Sequence, residues 1–418
     1  MTRRRFLKPW LCLLVLSSVL PQAAAQETGQ LAEEENAPLV TDASLTLAAA
    51  FEAALARAPG GELLAAQLEA AESTERRRRS VVAAAPSLQL RYLSDRLQTR
   101  QGVSESEFGI DLPLWRWGQR DSLVSLARAS RTGAAEDLRL HRWQVAGAVR
   151  ESYWAVREAQ QELQLARRDV EAFRELEQEV QRRIDAGDAA PGERLTAEGQ
   201  RVAREATQHE SEVRLADRFF AWRVLTGLHV LPALTDETVA PELTGYLPLD
   251  VARADAARAE AALAAVQAEG AGTPRLLLAV RHDAQDGSEP IDSLAAQLSM
   301  PLGGARHRQA ALAPLRLEAA RARDLVIAMT REAQLAHHEA EHELHAREVA
   351  LSDAGARLAL ALDELGLARR AYRLGETDLA ERLLTEWRAA EANRTHLLAV
   401  IAHSRAIARF NQINGVLP

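Results

Sequence analysis

The stretch Phe108-Gly109-Ile110-Asp111-Leu112-Pro113-Leu114 returns 188 residues later as Ala296-Gln297-Leu298-Ser299-Met300-Pro301-Leu302. In both, apolar residues alternate with polar or small ones and a Pro-Leu pair closes the run. Period two of this kind marks a β-strand with one apolar face. Upstream, Leu88, Leu90 and Tyr92 alternate in the same way, as do Leu276, Leu278 and Val280, with Leu294 opening the later run. Each pair of runs brackets a polar turn, Thr99 to Glu105 and then Gln285 to Pro290. The pattern predicts one hairpin per copy, at about residues 87–114 and 275–302. Each strand would be about 10 residues long, the length a tilted strand needs to cross a bilayer.

The offset of 188 holds beyond the strands. Pro86 matches Pro274, Asp95 matches Asp283, Gly187 matches Gly375, Glu193-Arg194-Leu195 matches Glu381-Arg382-Leu383, and Gly227 matches Gly415. No gap is needed across these 142 positions, which makes the chain an internal duplication. After each hairpin the period becomes heptad. Val149, Val156, Leu163, Val170 and Ile184 form one register, with Val145, Ser152, Ala159, Ala166, Phe173 and Val180 in the other. In the second copy Leu344, Leu351, Leu358, Leu365 and Tyr372 face Ala340, Ala354, Ala361 and Ala368. Large residues opposite small ones let helices approach closely. The 74 residues from Pro113 to Gly187, and again from Pro301 to Gly375, predict a helix in each copy. At 1.5 Å per residue such a helix is about 100 Å long and must pack on partners along its length.

Gly187 and Gly375 end these helices, and the polar residues after them cap the helices that return toward Gly227 and Gly415. A further helix is expected before each hairpin, at about Leu45 to Ala84 and Pro248 to Glu269. The organisation is thus a first repeat over 45–227, a connector over 228–247 holding Pro232 and Pro241, and a second repeat over 248–418. Residues 26–44 read as an acidic, mobile lead-in.

Arg3, Arg4, Arg5 and Lys8, the apolar run Trp10 to Leu20, and Ala23-Ala24-Ala25 read as a signal peptide over residues 1–25. The single cysteine, Cys12, falls inside it, so the mature chain has no thiol chemistry. The chain of 418 residues is 47% hydrophobic but only 4% aromatic, a composition suited to long, closely packed helices. Its net charge of -8 argues against nucleic acid as a partner. No later run of about 20 apolar residues exists, so any membrane-embedded part must be a β-barrel. Two strands per copy cannot close a barrel alone, and the open edges demand other protomers.

These residues, in this order, resemble the TolC-like outer membrane factors. The resemblance is carried by Leu45-Thr46-Leu47, Ala85-Pro86-Ser87-Leu88, Leu112-Pro113-Leu114-Trp115, Tyr372-Arg373-Leu374-Gly375-Glu376-Thr377-Asp378-Leu379 and Asn414-Gly415-Val416-Leu417-Pro418. It implies a mainly α homotrimer in the Gram-negative outer membrane, with a periplasmic α-barrel tunnel. Each protomer would give four strands to a shared β-barrel. It also implies a passive efflux or export duct that meets a periplasmic adaptor at the turns around Gly187, Leu374 and Gly375, and through it an inner-membrane transporter. The connector becomes the equatorial region. The first turn, with Ala189-Ala190-Pro191, lacks the family's usual hydrophobic residue beside its glycine, which makes the two turns unequal.

Trp115 and Trp117 follow the first hairpin, where interface aromatics would sit against outer-membrane lipid; a local core is the plainer reading. Glu193, Asp378 and Glu381, just past the turns, are candidates for a tunnel constriction, because threefold symmetry makes each a ring that attracts cations. Alternatively they serve as acids favoured at helix N-termini. His337, His338, His342 and His345 fall within nine residues, with His338, His342 and His345 on one helix face. Imidazoles so spaced can bind Zn²⁺ or Cu²⁺, but a solvated polar face is the simpler account and no metal site is assigned. No nucleophile elbow, phosphate loop or metalloprotease helix occurs, Gly303-Gly304 fits no phosphate cradle, and no cofactor is implied. The competing readings are a soluble periplasmic coiled-coil scaffold or adaptor without a pore and, more remotely, an enzyme with a helical domain.

Overall fold

The computed structural model describes residues 40–95, 102–233, 237–240, 245–285, 287–303 and 305–418. The expected signal peptide, most of the lead-in, the tip of the first hairpin turn and Pro241 lie outside the described residues. The elements in chain order are β1 (Val40–Asp42), α1 (Leu47–Arg57), α2 (Gly61–Arg78), β2 (Ser87–Ser94), β3 (Ser104–Pro113), α3 (Gln119–Asp185), α4 (Pro191–Thr226), β4 (Val230–Pro232), α5 (Leu247–Glu269), β5 (Arg275–Ala284), β6 (Ile291–Ser299), α6 (Ala305–Leu374) and α7 (Leu379–Ile413). The order helix, hairpin, long helix, glycine turn, return helix occurs twice, as the duplication requires. The described residues fall into two compact units, 40–46 with 152–233, and 47–151 with 237–418.

In the first unit the second half of α3 packs along α4. Val156, Leu163 and Val170 are buried in one register, and Ala159, Ala166, Phe173 and Val180 in the companion one. The heptad frame therefore does form the helix seam. Outside it, Arg174 pairs with Glu205 at 3.1 Å and Arg201 with Glu177 at 2.8 Å, while Arg214 pairs with Glu162. Hydrogen bonds from Arg201 and then Arg174 hold the Glu205 carboxyl below its ordinary value. The same unit contains a small sheet that was not legible in sequence. β1 runs parallel to β4, with Val40 opposite Val230 and Asp42 opposite Pro232. The end of the lead-in is thus a strand, and the Trp222 indole N–H donates to the Val230 carbonyl at 3.0 Å behind it. Two three-residue strands far apart in sequence carry no periodic signal.

In the second unit, the single helix expected over Leu45 to Ala84 is two. α1 stops at Arg57, Pro59-Gly60 breaks the chain with Gly60 at φ 116, and α2 ends at Arg78. Proline lacks the N–H a helix needs, and glycine alone takes that φ without strain. α1 keeps a clean apolar face, with Leu47, Ala50, Phe51 and Ala54 all buried. The long helices α3 and α6 have 67 and 70 residues, each about 100 Å at the standard rise. Along α6, Ala340, Ala354, Leu365 and Tyr372 are buried, whereas Leu344, Leu351 and Leu358 are half-buried. Leu325, Ile327, Leu335, Leu360 and Leu367 on the same helix are exposed. The second-copy helix thus carries more uncovered apolar surface than a lone chain should.

Three points of α3, the connector and the chain end are clasped together. The Arg150 side chain, 4% exposed, pairs with Glu237 at 2.6 Å. It also donates to Gln412 Oε1 at 2.6 Å and to the Val416 carbonyl at 2.8 Å. Asn411 treats the connector backbone as a strand would, donating to the Thr238 carbonyl at 2.9 Å and accepting from the Ala240 N–H at 3.1 Å. Gln412 Nε2 completes the clasp by donating to the Trp143 carbonyl at 2.6 Å.

Candidate functional site: an amphipathic sheet and two glycine turns

The two hairpins form one antiparallel sheet in the order β2-β3-β5-β6, with 8, 10, 10 and 9 residues per strand. Their registers are the same in repeat numbering: Gln89 lies opposite Gly109, and 188 residues on Leu277 lies opposite Gln297. The copies join through β3 and β5, with Phe108 opposite Val280. The described edges β2 and β6 carry no further strand.

Side chains directly opposite one another share a face, so the register sorts the sheet into two surfaces. One surface carries Leu88, Leu90, Tyr92, Phe108, Ile110, Leu278, Val280, Leu294 and Leu298, and every one of these is exposed. Leu90, Phe108, Val280 and Leu294 form an unbroken row across all four strands. The other surface carries charge. Arg91, Glu107 and Arg281 are opposite neighbours in the next row. Arg281 reaches Glu105 at 2.6 Å and Asp283 at 3.0 Å. Nearer the helices Asp111 is buried, with Arg275 bonded to it at 2.6 Å and to the Ser87 hydroxyl at 3.2 Å. A soluble protein would hide the first surface and wet the second. Here the apolar surface lies open while the charged one is partly covered by its own ion pairs, an arrangement that suits lipid on the first side and water on the second.

At the sheet's helix end the two tryptophans part ways. Trp117 is fully exposed. Trp115 is half-buried; its indole N–H donates to the Ser80 carbonyl at 3.1 Å, and the Arg120 guanidinium stands 5.2 Å from its ring. Trp115 is thus held against the chain, whereas Trp117 stands clear of it.

Both turn glycines adopt the left-handed conformation, Gly187 at φ 81 and Gly375 at φ 75. Each caps its helix in the same way. Asp188 N–H donates to the Arg183 carbonyl at 2.8 Å, and Glu376 N–H to the Ala371 carbonyl at 2.9 Å. A Cβ added at either glycine would meet nothing within 4 Å, so the cost of alanine there is backbone strain alone. Gly375→Ala is expected to destabilise the turn by about 1–2 kcal/mol, read as faster amide exchange in the last turn of α6.

Beside these shared caps the turns differ. Leu374 is 69% exposed at the tip of the second. Behind it, the Arg382 guanidinium lies 4.8 Å from the ring of buried Tyr372, and Arg369 grips Glu386 through two bonds of 2.8 and 2.9 Å. In the first copy the corresponding residues are Ile184, Arg194, Glu198 and Gln181, and Arg194 is exposed. Sequence could point to the brace only through Tyr372 and Arg369, where the copies diverge, since Arg382 and Glu386 recur as Arg194 and Glu198. The acids past the turns have local roles. Glu193 accepts from the Ala190 N–H at 3.3 Å, and Asp378 caps α7 by accepting from the Glu381 N–H at 2.8 Å. Glu381 stands exposed in the first turn of α7. Of the histidines, His338 and His342 come together, His345 leans to Glu348 at 3.7 Å, and His337 lies 3.1 Å from Asn414 Oδ1. Among the described residues no group of three or more ligating side chains converges, and no helix is long and apolar enough to cross a membrane.

A duplicated unit that joins two amphipathic hairpins to helices of this length has the architecture of the TolC-like channels. Residues 34–227 match the sequence profile of the outer membrane efflux protein family. No curated protein matches the sequence. Solved structures of similar fold include a membrane protein from Pseudomonas aeruginosa, at 17% identity and TM-score 0.69, covering 90% of this chain and 91% of that one. The Campylobacter jejuni outer membrane channel CmeC is 12% identical with TM-score 0.68, covering 90% and 89%. The Vibrio cholerae outer membrane protein VceC is 15% identical with TM-score 0.69, covering 89% and 97%. The family profile thus covers the first repeat, and the chain shares the TolC-like fold over nine-tenths of its length.

Proposed function

We propose that this chain is the outer-membrane subunit of a tripartite efflux or export system, a passive conduit for small molecules or ions handed on by an inner-membrane transporter through a periplasmic adaptor. The observation that carries this reading is the sheet. Its strands have bilayer height, one face is an exposed apolar band, the other is charged, and neither described edge is paired. Three copies joined edge to edge would give a twelve-stranded barrel, which removes the open edges and leaves the charged face lining water. The uncovered leucines of α6 support the same conclusion, since further helices would cover them. Trp117, more than Trp115, serves as the aromatic at the lipid interface.

The turns around Gly187 and Gly375 meet the adaptor, and Leu374 makes the second the stronger contact. Glu193, Asp378 and Glu381, repeated threefold, form acidic rings at the closed end of the tunnel alongside their capping roles. The duct leaves cargo selection to the pump.

The test is fractionation followed by planar-bilayer conductance. The protein should partition with outer membranes, run as a heat-sensitive trimer in detergent and conduct. A monomer in the soluble periplasmic fraction would establish the scaffold reading instead. Asp378→Asn keeps the cap, and with Glu381→Gln it should lower the preference for cations over anions. An unchanged preference would remove these acids from the constriction.

A further inference from the structure

His338 and His342 occupy successive turns of α6, their ring centroids 4.2 Å apart and their planes inclined by 52°. Both are exposed, and neither is engaged in a hydrogen bond or ion pair among the described residues. The histidines around them are otherwise committed: His337 packs 6.0 Å from the Phe410 ring beside Asn414, and His345 leans to Glu348. Two imidazoles are thus held together with no protein partner.

We propose that His338 and His342 form a two-imidazole chelate for a borderline divalent transition-metal ion. Metal–nitrogen bonds of about 2.0–2.1 Å place two ligating nitrogens of one ion about 3 Å apart, a span these rings reach by side-chain rotation alone. Glu339 and Glu341, exposed on the same turn, make the local field favourable to a cation. With no third ligand converging, water fills the remaining positions. The chelate is therefore open and exchangeable, and imidazole preference ranks Cu²⁺ above Ni²⁺ and Zn²⁺. Metal binding needs both rings neutral, so affinity falls on acidification. The counterparts in the first copy are Arg150 and Trp154, so the site belongs to the second copy alone. It does not depend on the channel reading.

The experiment is titration of the detergent-solubilised full chain, free of any polyhistidine tag, with Cu²⁺ followed by electron paramagnetic resonance. One ion per protomer with nitrogen coupling from two imidazoles is expected. His338→Ala and His342→Ala should each weaken binding about tenfold or more, as loss of one ligand bond predicts. His345→Ala should leave it unchanged. All three side chains are exposed, so helicity measured by circular dichroism should match the parent. Absence of binding, binding indifferent to both first substitutions, or binding abolished by His345→Ala each overturns the assignment.

Discussion

Arg150→Met is expected to destabilise the second unit by about 3–5 kcal/mol, the cost of leaving one member of a buried ion pair without its partner. The magnitude follows from what Arg150 touches. Its guanidinium is buried and is shared among Glu237, the Gln412 amide and the Val416 carbonyl. Removing it strands the Glu237 carboxylate and frees one end of the clasp at once. Glu237→Gln in the same background should recover part of the loss, because it takes away the uncompensated charge. Denaturant unfolding of the solubilised protein reads the energetic effect, and carboxypeptidase digestion reads release of the chain end. Unaltered unfolding and digestion would show that the clasp contributes nothing.

Leu90→Arg is expected to block membrane assembly. Leu90 lies in the apolar row with Phe108, Val280 and Leu294, midway along the strands. An arginine at the bilayer midplane of a barrel's lipid face costs about 2–4 kcal/mol, and a trimer would bear it three times. Gln89→Arg is the matched control. It adds the same charge one residue away on the opposite face, where Asp111 is already the partner of Gln89. Urea-resistant membrane association and the heat-sensitive trimer should be lost in the first variant and kept in the second. Equal behaviour of the two would contradict lipid on one face and water on the other.

These two predictions mark the border between local and long-range information. The alternation from Leu88 to Leu114 and from Leu276 to Leu302 is written residue by residue, because a strand with unlike surroundings needs unlike neighbours. The heptads of α3 and the left-handed glycines Gly187 and Gly375 are likewise local demands of helix packing and backbone sterics. Given the offset of 188, even the shared register of the hairpins could be anticipated. Trp115 and Trp117 show the limit. They stand two residues apart in one motif, yet only the fold distinguishes the indole held by Ser80 and Arg120 from the one left exposed.

The sequence by itself determined the duplication, the change from period two to heptad, the places where the helices turn and the absence of familiar catalytic motifs. Each of these follows from periodicity or from the conformational range of single residues. Only the tertiary structure decided the parallel pairing of Val40–Asp42 with Val230–Pro232, the Arg150 clasp, the bracing of one turn by Tyr372 and Arg382, and the pairing of His338 with His342 in preference to His345. The pairing and the clasp join residues distant in sequence, so their energy depends on where the chain has already been brought. The brace and the imidazole pair depend on side-chain orientation, which spacing along a helix permits without selecting.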